Sequence, residues 1–217
     1  MRIPIAREGW PFVAGFAAVA LLGTWFCPVP WGDPPLWLLL FWVIWFFRDP
    51  ERITPVAAGL VVAPADGRVI AVDEVAAAPL SGRAARRISI FMNIFNVHVN
   101  RFPDSGRIVA CNYRPGRFIN AALDKASQEN ERMELLLQSD QGREIVFVQV
   151  AGLIARRIVC RIGRGDYGRR GERFGLIRFG SRVDVYLPLD ATIAVTLGER
   201  TVAGETLLAT ITATGEK

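Results

Sequence analysis

The stretch RFGSRVDVYLP, residues 178–188, is the part of the sequence from which the fold is best approached. Its second half predicts a β-strand of bulky apolar residues, and a glycine and a serine, Gly180 and Ser181, stand together where that strand begins. Glycine weakens a strand, so its presence indicates a turn, a bulge or a backbone that another group approaches closely. A Gly-Ser pair by itself is ordinary turn sequence. Its meaning therefore depends on the surrounding chain.

The composition limits the classes of protein to consider. The chain has 217 residues, 51% of them apolar, which suits one domain with a buried core and an additional apolar element. Its net charge of +5 is compatible with nucleic acid or an anionic membrane surface as a partner. Cys27, Cys111 and Cys160 are odd in number and form no CxxC motif, which predicts reduced thiols and no metal site. The single histidine, His98, must carry any imidazole chemistry.

Two uncharged segments, residues 10–26 and 36–47, lie near the N-terminus on either side of a proline-rich connection. As helices they would be about 25 Å and about 18 Å long, against a bilayer hydrocarbon core of about 30 Å. Arginines flank the pair on its outer sides and the connection carries only Asp33. The positive-inside rule then places both ends at the cytoplasmic face. We expect a membrane-associated helical hairpin within residues 1–50, with a buried helical pair of a soluble fold as the alternative.

From residue 51 to residue 217 the sequence predicts a compact, mostly antiparallel β domain with little helix. Short runs rich in Val, Ile and Phe are separated there by Gly, Pro, Asp and Asn. Only residues 118–138 have helical character, and only in part. The β-rich runs cover residues 61–75, 86–103, 106–115, 143–152, 156–163, 181–188, 191–199 and 205–214.

Two turns in this region, PADG at residues 64–67 and VAGE at residues 202–205, are each flanked by β-branched residues. They resemble the paired hairpins of lipoyl and biotinyl carrier domains, which implies a fold of the barrel-sandwich hybrid kind. Carrier domains present a lysine at the turn, and neither turn here contains one. We therefore expect the fold without the carrier function.

Two isolated polar residues are candidates for chemistry. Asp66, in the PADG turn, has a side chain of the type that caps its own turn. His98 lies in FNVHVNRFP, residues 95–103, where strand alternation places it with two asparagines on the polar face. A lone histidine on such a face is most often solvated. From the residues alone, both structural and catalytic roles stay open.

Residues 156–170, RRIVCRIGRGDYGRR, form the most basic segment. They lack the aromatic spacing of a platform for single-stranded nucleic acid, so no nucleic-acid partner is expected. Next to an apolar hairpin, they indicate a surface for anionic lipid. Asp166, within the segment, offsets local charge.

Six segments together carry a more specific resemblance. They are FFRDPER (46–52), VVAPADGRV (61–69), NIFNVHVNR (93–101), NER in a modified context (130–132), ARRIVCRIGRGD (155–166) and GERFGLIRFGSRVDVYLP (171–188). The chain resembles the short bacterial and archaeal type of phosphatidylserine decarboxylase from about residue 45 to about residue 190. The last segment is the most specific.

The resemblance implies a proenzyme that cleaves itself between Gly180 and Ser181. Attack of the Ser181 hydroxyl on the Gly180 carbonyl would give an ester, and elimination with loss of ammonia would leave a covalent pyruvoyl group at residue 181. A β fragment, 1–180, and an α fragment, 181–217, would stay packed together. The pyruvoyl cofactor would form a Schiff base with the substrate amine and accept electrons as carbon dioxide leaves, giving phosphatidylethanolamine without a metal.

Self-cleavage needs a base, and the resemblance implies His98, with Asp66 as its orienting carboxylate. The sequence departs from longer bacterial relatives, which carry a second histidine three residues further on, where Arg101 stands here. The division of His98 between cleavage and protonation of the substrate carbanion is therefore open. His98 could serve both steps, or Asp66 or backbone strain could replace it in one.

The resemblance also implies a phospholipid substrate and a location at the cytoplasmic face of the cell membrane. The oligomeric state is open, a homo-oligomer included. Two alternatives differ in class. One is a pyruvoyl decarboxylase of a soluble amino acid; the other is a non-enzymatic, membrane-anchored barrel-sandwich adaptor in which Gly180–Ser181 is only a turn.

Overall fold

A computed structural model describes residues 4–26, 34–123, 126–153, 157–178 and 180–211. The chain divides into two compact units, Met1–Glu51 and Arg52–Lys217. Most of the connection between the predicted apolar helices, with Cys27 and Asp33, lies outside the described residues, as does Arg156 of the basic segment.

The first unit contains two apolar helices, α1 (Trp10–Phe26), which follows a 3₁₀ turn at Arg7–Gly9, and α2 (Pro34–Phe46). The stretch Arg7–Phe26 is long and apolar enough to cross a membrane, judged by length and composition. At 1.5 Å per residue α2 is about 20 Å long, which is less than the hydrocarbon thickness.

Large apolar side chains point outward from both helices. Trp25 on α1 is 81% exposed and Leu38 on α2 is 68% exposed. The helices also contact each other, since the Trp37 indole N–H donates to the Thr24 hydroxyl at 3.3 Å. Exposed apolar surface of this kind is unfavourable in water and marks a membrane or protein contact. The predicted apolar helices before the β domain are confirmed.

The second unit is built of β-strands with one four-residue helix, α3 (Ala126–Glu129), among the residues described. The strands are β1 (Leu60–Val62), β2 (Gly67–Val75), β3 (Ala85–Met92), β4 (Val99–Arg101), β5 (Gly106–Arg114), β6 (Arg132–Ser139), β7 (Glu144–Val150), β8 (Ile158–Cys160), β9 (Tyr167–Gly168), β10 (Arg173–Ile177), β11 (Ser181–Leu187), β12 (Thr192–Ile193), β13 (Arg200–Thr201) and β14 (Leu207–Thr210).

These strands form three sheets, and every pairing between them is antiparallel. The large sheet has the order β13-β2-β3-β11-β7-β6-β5-β9. The two small sheets have the orders β4-β10-β8 and β1-β14-β12. The predicted mainly antiparallel β fold is confirmed, as open sheets and without a closed barrel over the described ranges.

The helical character predicted for residues 118–138 was too extensive. Of the residues described between 118 and 138, only Ala126–Glu129 are helical, and β6 begins at Arg132. Strand β6 is held between β5 and β7, and its Leu135 and Leu137 are fully buried in the core. Cross-strand pairing and burial outweigh the helix propensity of Leu, Glu, Met and Gln.

Strand β11 is central to the large sheet, between β3 and β7, and all seven of its residues are buried. Val183, Val185 and Leu187 belong to the main apolar core. Full burial of an aliphatic side chain of this size contributes about 1.5–3 kcal/mol. The intervening residues, Arg182 and Asp184 among them, face the opposite side of the sheet because side chains alternate along a strand.

The chain changes sheets immediately before β11. Strand β10 ends at Ile177 in a small sheet, and β11 begins at Ser181 in the large one. Gly180 has a φ of +64°, in the left-handed region that favours glycine. A Cβ added there would meet nothing within 4 Å beyond its chain neighbours, so conformation accounts for the glycine rather than space. The Gly-Ser pair thus lies at a corner between two sheets.

Candidate active site

Ser181 is the first residue of β11 and is fully buried. It lies opposite Met92 of β3, and strand alternation puts its side chain on the core face with Val183. No hydrogen-bond partner reaches its Oγ within the described part of the chain. A buried unsatisfied hydroxyl costs about 1–3 kcal/mol, so such groups are uncommon in folded proteins. An orphaned hydroxyl beside a glycine in the left-handed region is an arrangement suited to attack on the preceding carbonyl.

A pocket of about 280 Å³ lies next to this corner. It is small by the standard of ligand sites, which usually measure roughly 300–1,000 Å³. Its wall includes Gly180 itself, so a small molecule in the pocket would lie against the Gly180–Ser181 segment. The other lining residues are Phe91, Asn93, Ile94, Asn120, Ala121 and Leu153.

His98 immediately precedes β4 and is fully buried, so the expected solvated histidine is wrong. The polar face of this segment, including Asn100, points into the protein. His98 Nδ1 lies 3.0 Å from the carbonyl oxygen of Asn96. A carbonyl can only accept, so Nδ1 carries the proton and the neutral ring has its lone pair on Nε2. That nitrogen is the one a general base would use.

Backbone and side-chain contacts bring the His98 segment to the start of β11. The Ile177 N–H donates to the His98 carbonyl oxygen at 3.3 Å, four residues before Ser181. Asn100 Nδ2 lies 3.7 Å from the sulfur of Met92, the residue opposite Ser181. These contacts place the backbone of His98 next to β10, and the side chain of Asn100 next to the strand neighbour of Ser181.

Gln149 of β7 is a further buried polar residue. Its Nε2 donates to Asn100 Oδ1 at 2.8 Å, and both side chains are fully buried. Gln149 lies opposite Val183, on the face of the sheet that carries Ser181. Neither amide was among the predicted site residues. The polar residue inside the apolar run of β7 was the feature that could have indicated it.

Asp66 joins its own turn to the second turn of the pair. Its Oδ1 accepts the backbone N–H of Ala203 at 2.7 Å, and its Oδ2 accepts Arg52 Nη2 at 2.8 Å. Charge-assisted bonds of this kind fix a carboxylate more firmly than neutral ones. The PADG turn is thereby joined to the VAGE turn, and the Gly204 N–H adds a bond to Ala63 O at 2.8 Å.

The strand register relates Asp66 to the corner. Gly67 is the first residue of β2, and its neighbour Arg68 is paired with Phe91 of β3. The residue after Phe91, Met92, is paired with Ser181 of β11. Two strand spacings therefore separate the backbones of Gly67 and Ser181, or about 10 Å. Asp66 lies at the same end of the large sheet as Ser181.

Arg101, which stands where longer relatives carry a second histidine, is buried and structural. Its Nη1 donates to Gly171 O at 2.8 Å, and its backbone N–H donates to Pro64 O at 2.9 Å. These bonds hold the end of β4 against the PADG turn. A guanidinium has no acceptor and stays protonated, so Arg101 is unsuited to act as a base.

A charged pair on the reverse face of β11 was also missed by the sequence analysis. Arg182 Nε lies 2.9 Å from Asp184 Oδ1, and the Ser127 hydroxyl donates to Asp184 Oδ2 at 2.7 Å. Arg182 Nη1 donates to the carbonyl oxygens of Ala121 and Leu123 at 3.2 and 3.0 Å. These bonds tie a wall of the pocket to β11. Two charged residues within an otherwise apolar strand were the available indication.

The basic segment is only partly a free surface. Arg170 is largely buried, pairs with Asp104 at 2.8 Å, and donates to Ala57 O at 2.7 Å. Burial raises the pKa of Asp104, and the hydrogen bond from Arg170 opposes that rise. Asp166 Oδ2 accepts the Gly163 N–H at 2.8 Å, so it caps a turn. Arginines 157, 161, 164 and 169 remain exposed.

The cysteines Cys111 and Cys160 are free thiols. Burial raises the pKa of the Cys160 thiol, which favours the unreactive protonated form. Over the described ranges, no three His, Cys, Asp or Glu side chains come together as a metal site would require.

Comparison with known proteins agrees with the resemblance seen in the sequence. The profile of the phosphatidylserine decarboxylase family matches residues 39–209, which include the buried corner and its pocket. Proteins named phosphatidylserine decarboxylase proenzyme are 55% identical over 205 residues in Magnetococcus marinus and 53% identical over 205 residues in Nitrosomonas europaea. These matches cover 93% of both chains in the first case and 94% of both in the second.

A third relative of the same name, from Paramagnetospirillum magneticum, is 55% identical over 215 residues. That match covers 97% of this chain and 88% of the relative. The similarity thus extends through both the apolar helices and the β domain, with the Gly180–Ser181 corner inside the matched range. The chain belongs to the phosphatidylserine decarboxylase family.

Proposed function

We propose that this chain is a proenzyme that cuts itself between Gly180 and Ser181 and then decarboxylates phosphatidylserine to phosphatidylethanolamine. The observation that carries the proposal is the buried Ser181 hydroxyl, which has no partner among the described residues and follows a glycine at positive φ that lines a pocket. Membership of the family supports the substrate and the reaction type.

Self-cleavage begins with attack of Ser181 Oγ on the Gly180 carbonyl carbon. The hydroxyl proton passes to a base, the new C–O bond forms, and the C–N bond breaks as the amine nitrogen takes up a proton. Loss of the Ser181 α-proton then expels Gly180 as a carboxylate and leaves a carbon–carbon double bond at residue 181. Water converts the resulting enamine into a ketone and releases ammonia, so residue 181 ends as a pyruvoyl group.

His98 is the proposed base. Its Nδ1–H is held by the Asn96 carbonyl, which directs the basic Nε2 lone pair away from the backbone. Full burial keeps water from competing for the proton. Because Nδ1 is already held by Asn96, we assign Asp66 a supporting role through its negative charge, consistent with its fixed position at the same end of the large sheet. After cleavage the same imidazole is available to deliver a proton to the substrate carbon.

The pyruvoyl ketone supplies an electron sink for decarboxylation of an amino acid headgroup. Residues of both fragments would hold it in place. Strand β11 keeps residue 181 between β3 and β7, and Arg182 fastens it to the pocket wall. Strands β13 and β14 of the α fragment pair with β2 and β1 of the β fragment, so the two fragments share their sheets. This sharing supports an enzyme that remains assembled after the cut.

The rim of the pocket supports a lipid substrate. Phe95, Leu123 and Leu153 are 61%, 52% and 61% exposed. Leu153 lines the pocket, Phe95 follows the lining residue Ile94, and the Leu123 N–H donates to the lining residue Asn120. Three apolar side chains around a headgroup-sized pocket suit a surface that dips into the bilayer interface. A diacyl substrate would then keep its chains in the membrane.

The apolar helices and the exposed arginines support a membrane location at the cytoplasmic face. Helix α1 has the length and composition of a membrane span, and arginines at the outer ends of the hairpin match the positive-inside rule. Arg157, Arg161 and Arg164 are exposed and suited to anionic lipid.

The proposal is tested on the full chain expressed at low temperature and followed on denaturing gels. We expect conversion of the single chain into two fragments, with a mass for residues 181–217 that fits a pyruvoyl N-terminus. The product must release carbon dioxide from phosphatidylserine in vesicles much faster than from free serine. A chain that stays intact would support the adaptor, and preference for free serine would support the soluble decarboxylase.

The lipid-facing rim is tested with Phe95→Ser and Leu153→Ser. Leu189→Ser is the matched control, because Leu189 is 44% exposed and lies past the far end of β11. We expect the rim variants to self-cleave normally and to lower turnover on vesicles by about 5- to 30-fold, since each removes about 1–2 kcal/mol of apolar insertion. Equal turnover by rim and control variants would refute the assignment.

A further inference from the structure

We infer that Gly152 is a positioning residue for self-cleavage, because the space left by its missing side chain holds the carbonyl oxygen of Gly180. The inference rests on the proposed function and adds a residue to it. Gly152 is buried two residues after the end of β7.

The geometry at Gly152 is specific to the scissile bond. A Cβ built on Gly152 would overlap the Gly180 carbonyl oxygen and would lie 2.9 Å from the Gly180 carbonyl carbon. The third-nearest atom is the Cβ of Ala121, at 3.4 Å. The conflict is with backbone, which cannot move aside as the end of a flexible side chain can. A side chain at this position would displace the carbonyl that Ser181 attacks.

Gly152 is also held from its own side. The neighbouring Ala151 N–H donates to Glu131 O at 2.9 Å, and Ala151 O accepts from Asn130 Nδ2 at 2.7 Å. Asn130 is fully buried, and its other side-chain hydrogen bonds are with the backbone of Ile119. The backbone before Gly152 is therefore anchored. A clash at Gly152 would be relieved by movement of the Gly180 peptide.

The two glycines at this corner serve different purposes. Gly180 supplies a positive φ and has open space around it, whereas Gly152 has no positive φ and is required for close approach. In the first step the Gly180 oxygen gains negative charge as the Ser181 C–O bond forms and the hydroxyl proton leaves for the base. The reacting atoms must start about 3–3.5 Å apart, and a misplacement of about 1 Å can reduce a rate roughly 100-fold.

The test compares Gly152→Ala with Gly163→Ala by pulse-chase on denaturing gels. Gly163 is the matched control because a Cβ there meets nothing within 4 Å and its φ is not positive. We expect Gly163→Ala to self-cleave at the wild-type rate and Gly152→Ala to be at least about 100-fold slower.

Hydroxylamine identifies the blocked step, because it cuts an ester but not the original amide. We expect no fragments from hydroxylamine-treated Gly152→Ala, since the ester should not form. Ester-derived fragments at the wild-type level, or cleavage within threefold of wild type, would overturn the inference.

A fold control uses the uncleavable Ser181→Ala background, with and without Gly152→Ala. We expect both proteins to fold with melting temperatures within a few degrees, because the conflict is confined to one peptide unit. Failure of the double variant to fold would also overturn the inference, as Gly152 would then be a general packing residue. If the wild-type chain itself does not cleave, the proposed function fails, and that result is distinct from normal cleavage by Gly152→Ala.

Discussion

Neighbouring residues of β11 differ in how their buried polar groups are partnered. On one face Arg182 and Asp184 form an ion pair, and Ser127 and two carbonyl oxygens add hydrogen bonds to it. On the other face the hydroxyl of Ser181, the adjacent residue, has no partner among the residues described. Both faces are shielded from water, so exposure does not explain the difference.

The contrast separates a group kept for structure from a group kept for reaction. A buried charge must be compensated, since breaking a buried pair costs about 3–5 kcal/mol. An unsatisfied hydroxyl costs about 1–3 kcal/mol, which a domain with this large a core can tolerate. A hydroxyl already bonded elsewhere would first have to break that bond before attacking a carbonyl. We therefore interpret the missing hydrogen bond of the Ser181 hydroxyl as part of the self-cleavage chemistry.

The substitution Ser181→Ala is the strongest test of this comparison. We expect complete loss of self-cleavage on denaturing gels, with an unfolding free energy equal to or above that of the proenzyme, since an unsatisfied hydroxyl is removed. Ser89→Ala is the matched control, because Ser89 is also fully buried with no partner for its Oγ in the described chain. Loss of cleavage in Ser89→Ala as well would show that orphaned hydroxyls here act through packing.

The next largest effect is expected from His98→Ala. Removal of a general base lowers a rate by about 10²–10⁴-fold, so the half-time of self-cleavage should lengthen by that factor. Added imidazole should restore part of the rate by occupying the vacated space, a rescue that a purely structural histidine would not give. Wild-type cleavage without imidazole would exclude His98 as the base.

On the structural face, Arg182→Met should lower the unfolding free energy by about 3–5 kcal/mol, because Asp184 is left buried without its cation. The measurement is urea unfolding in the Ser181→Ala background, which keeps one chain. Arg83→Met is the control. Arg83 is exposed and pairs with Glu144 at 3.3 Å, so only about 0–1 kcal/mol is expected. Equal losses in the two variants would contradict the distinction between satisfied buried pairs and surface pairs.

The smallest effect concerns Glu134, another buried carboxylate with complete partners. Burial alone would raise its pKa, but hydrogen bonds from Arg132, Arg114 and Asn112 outweigh burial and lower the pKa below 4.5. A carboxyl with a depressed folded pKa stabilises the protein above its unfolded pKa and loses that contribution as pH falls. We expect Glu134→Gln to flatten the acid limb of the stability curve below about pH 4.5. An unchanged limb would contradict the role of these hydrogen bonds.

Much of the fold was predictable because its patterns are local. Uncharged runs identified the apolar helices, and short β-branched runs between Gly and Pro identified the strands. The failure at residues 132–138 has a tertiary cause, since β6 is a strand by virtue of its two neighbours in the sheet. Local propensity contains no term for those neighbours.

The site was predictable only where a motif could be matched. Gly180, Ser181, His98 and Asp66 came from the family resemblance, and their roles remain proposals. The burial of His98 was missed because alternation assigns a side chain to a face without saying what covers that face. Gly152 gave no indication in the sequence, since its importance lies in contact with a carbonyl 28 positions further along the chain.

The insertion of β11 between β3 and β7 has a consequence for the lifetime of the mature protein. In the proposed mature form residue 181 is a chain end, and this strand of the sheet belongs to a short separate polypeptide. Refolding would then require the two fragments to associate, with β11 of one fragment inserting between β3 and β7 of the other. We expect renaturation of the processed enzyme to depend on concentration and to fail on dilution, so that maturation makes unfolding irreversible in practice.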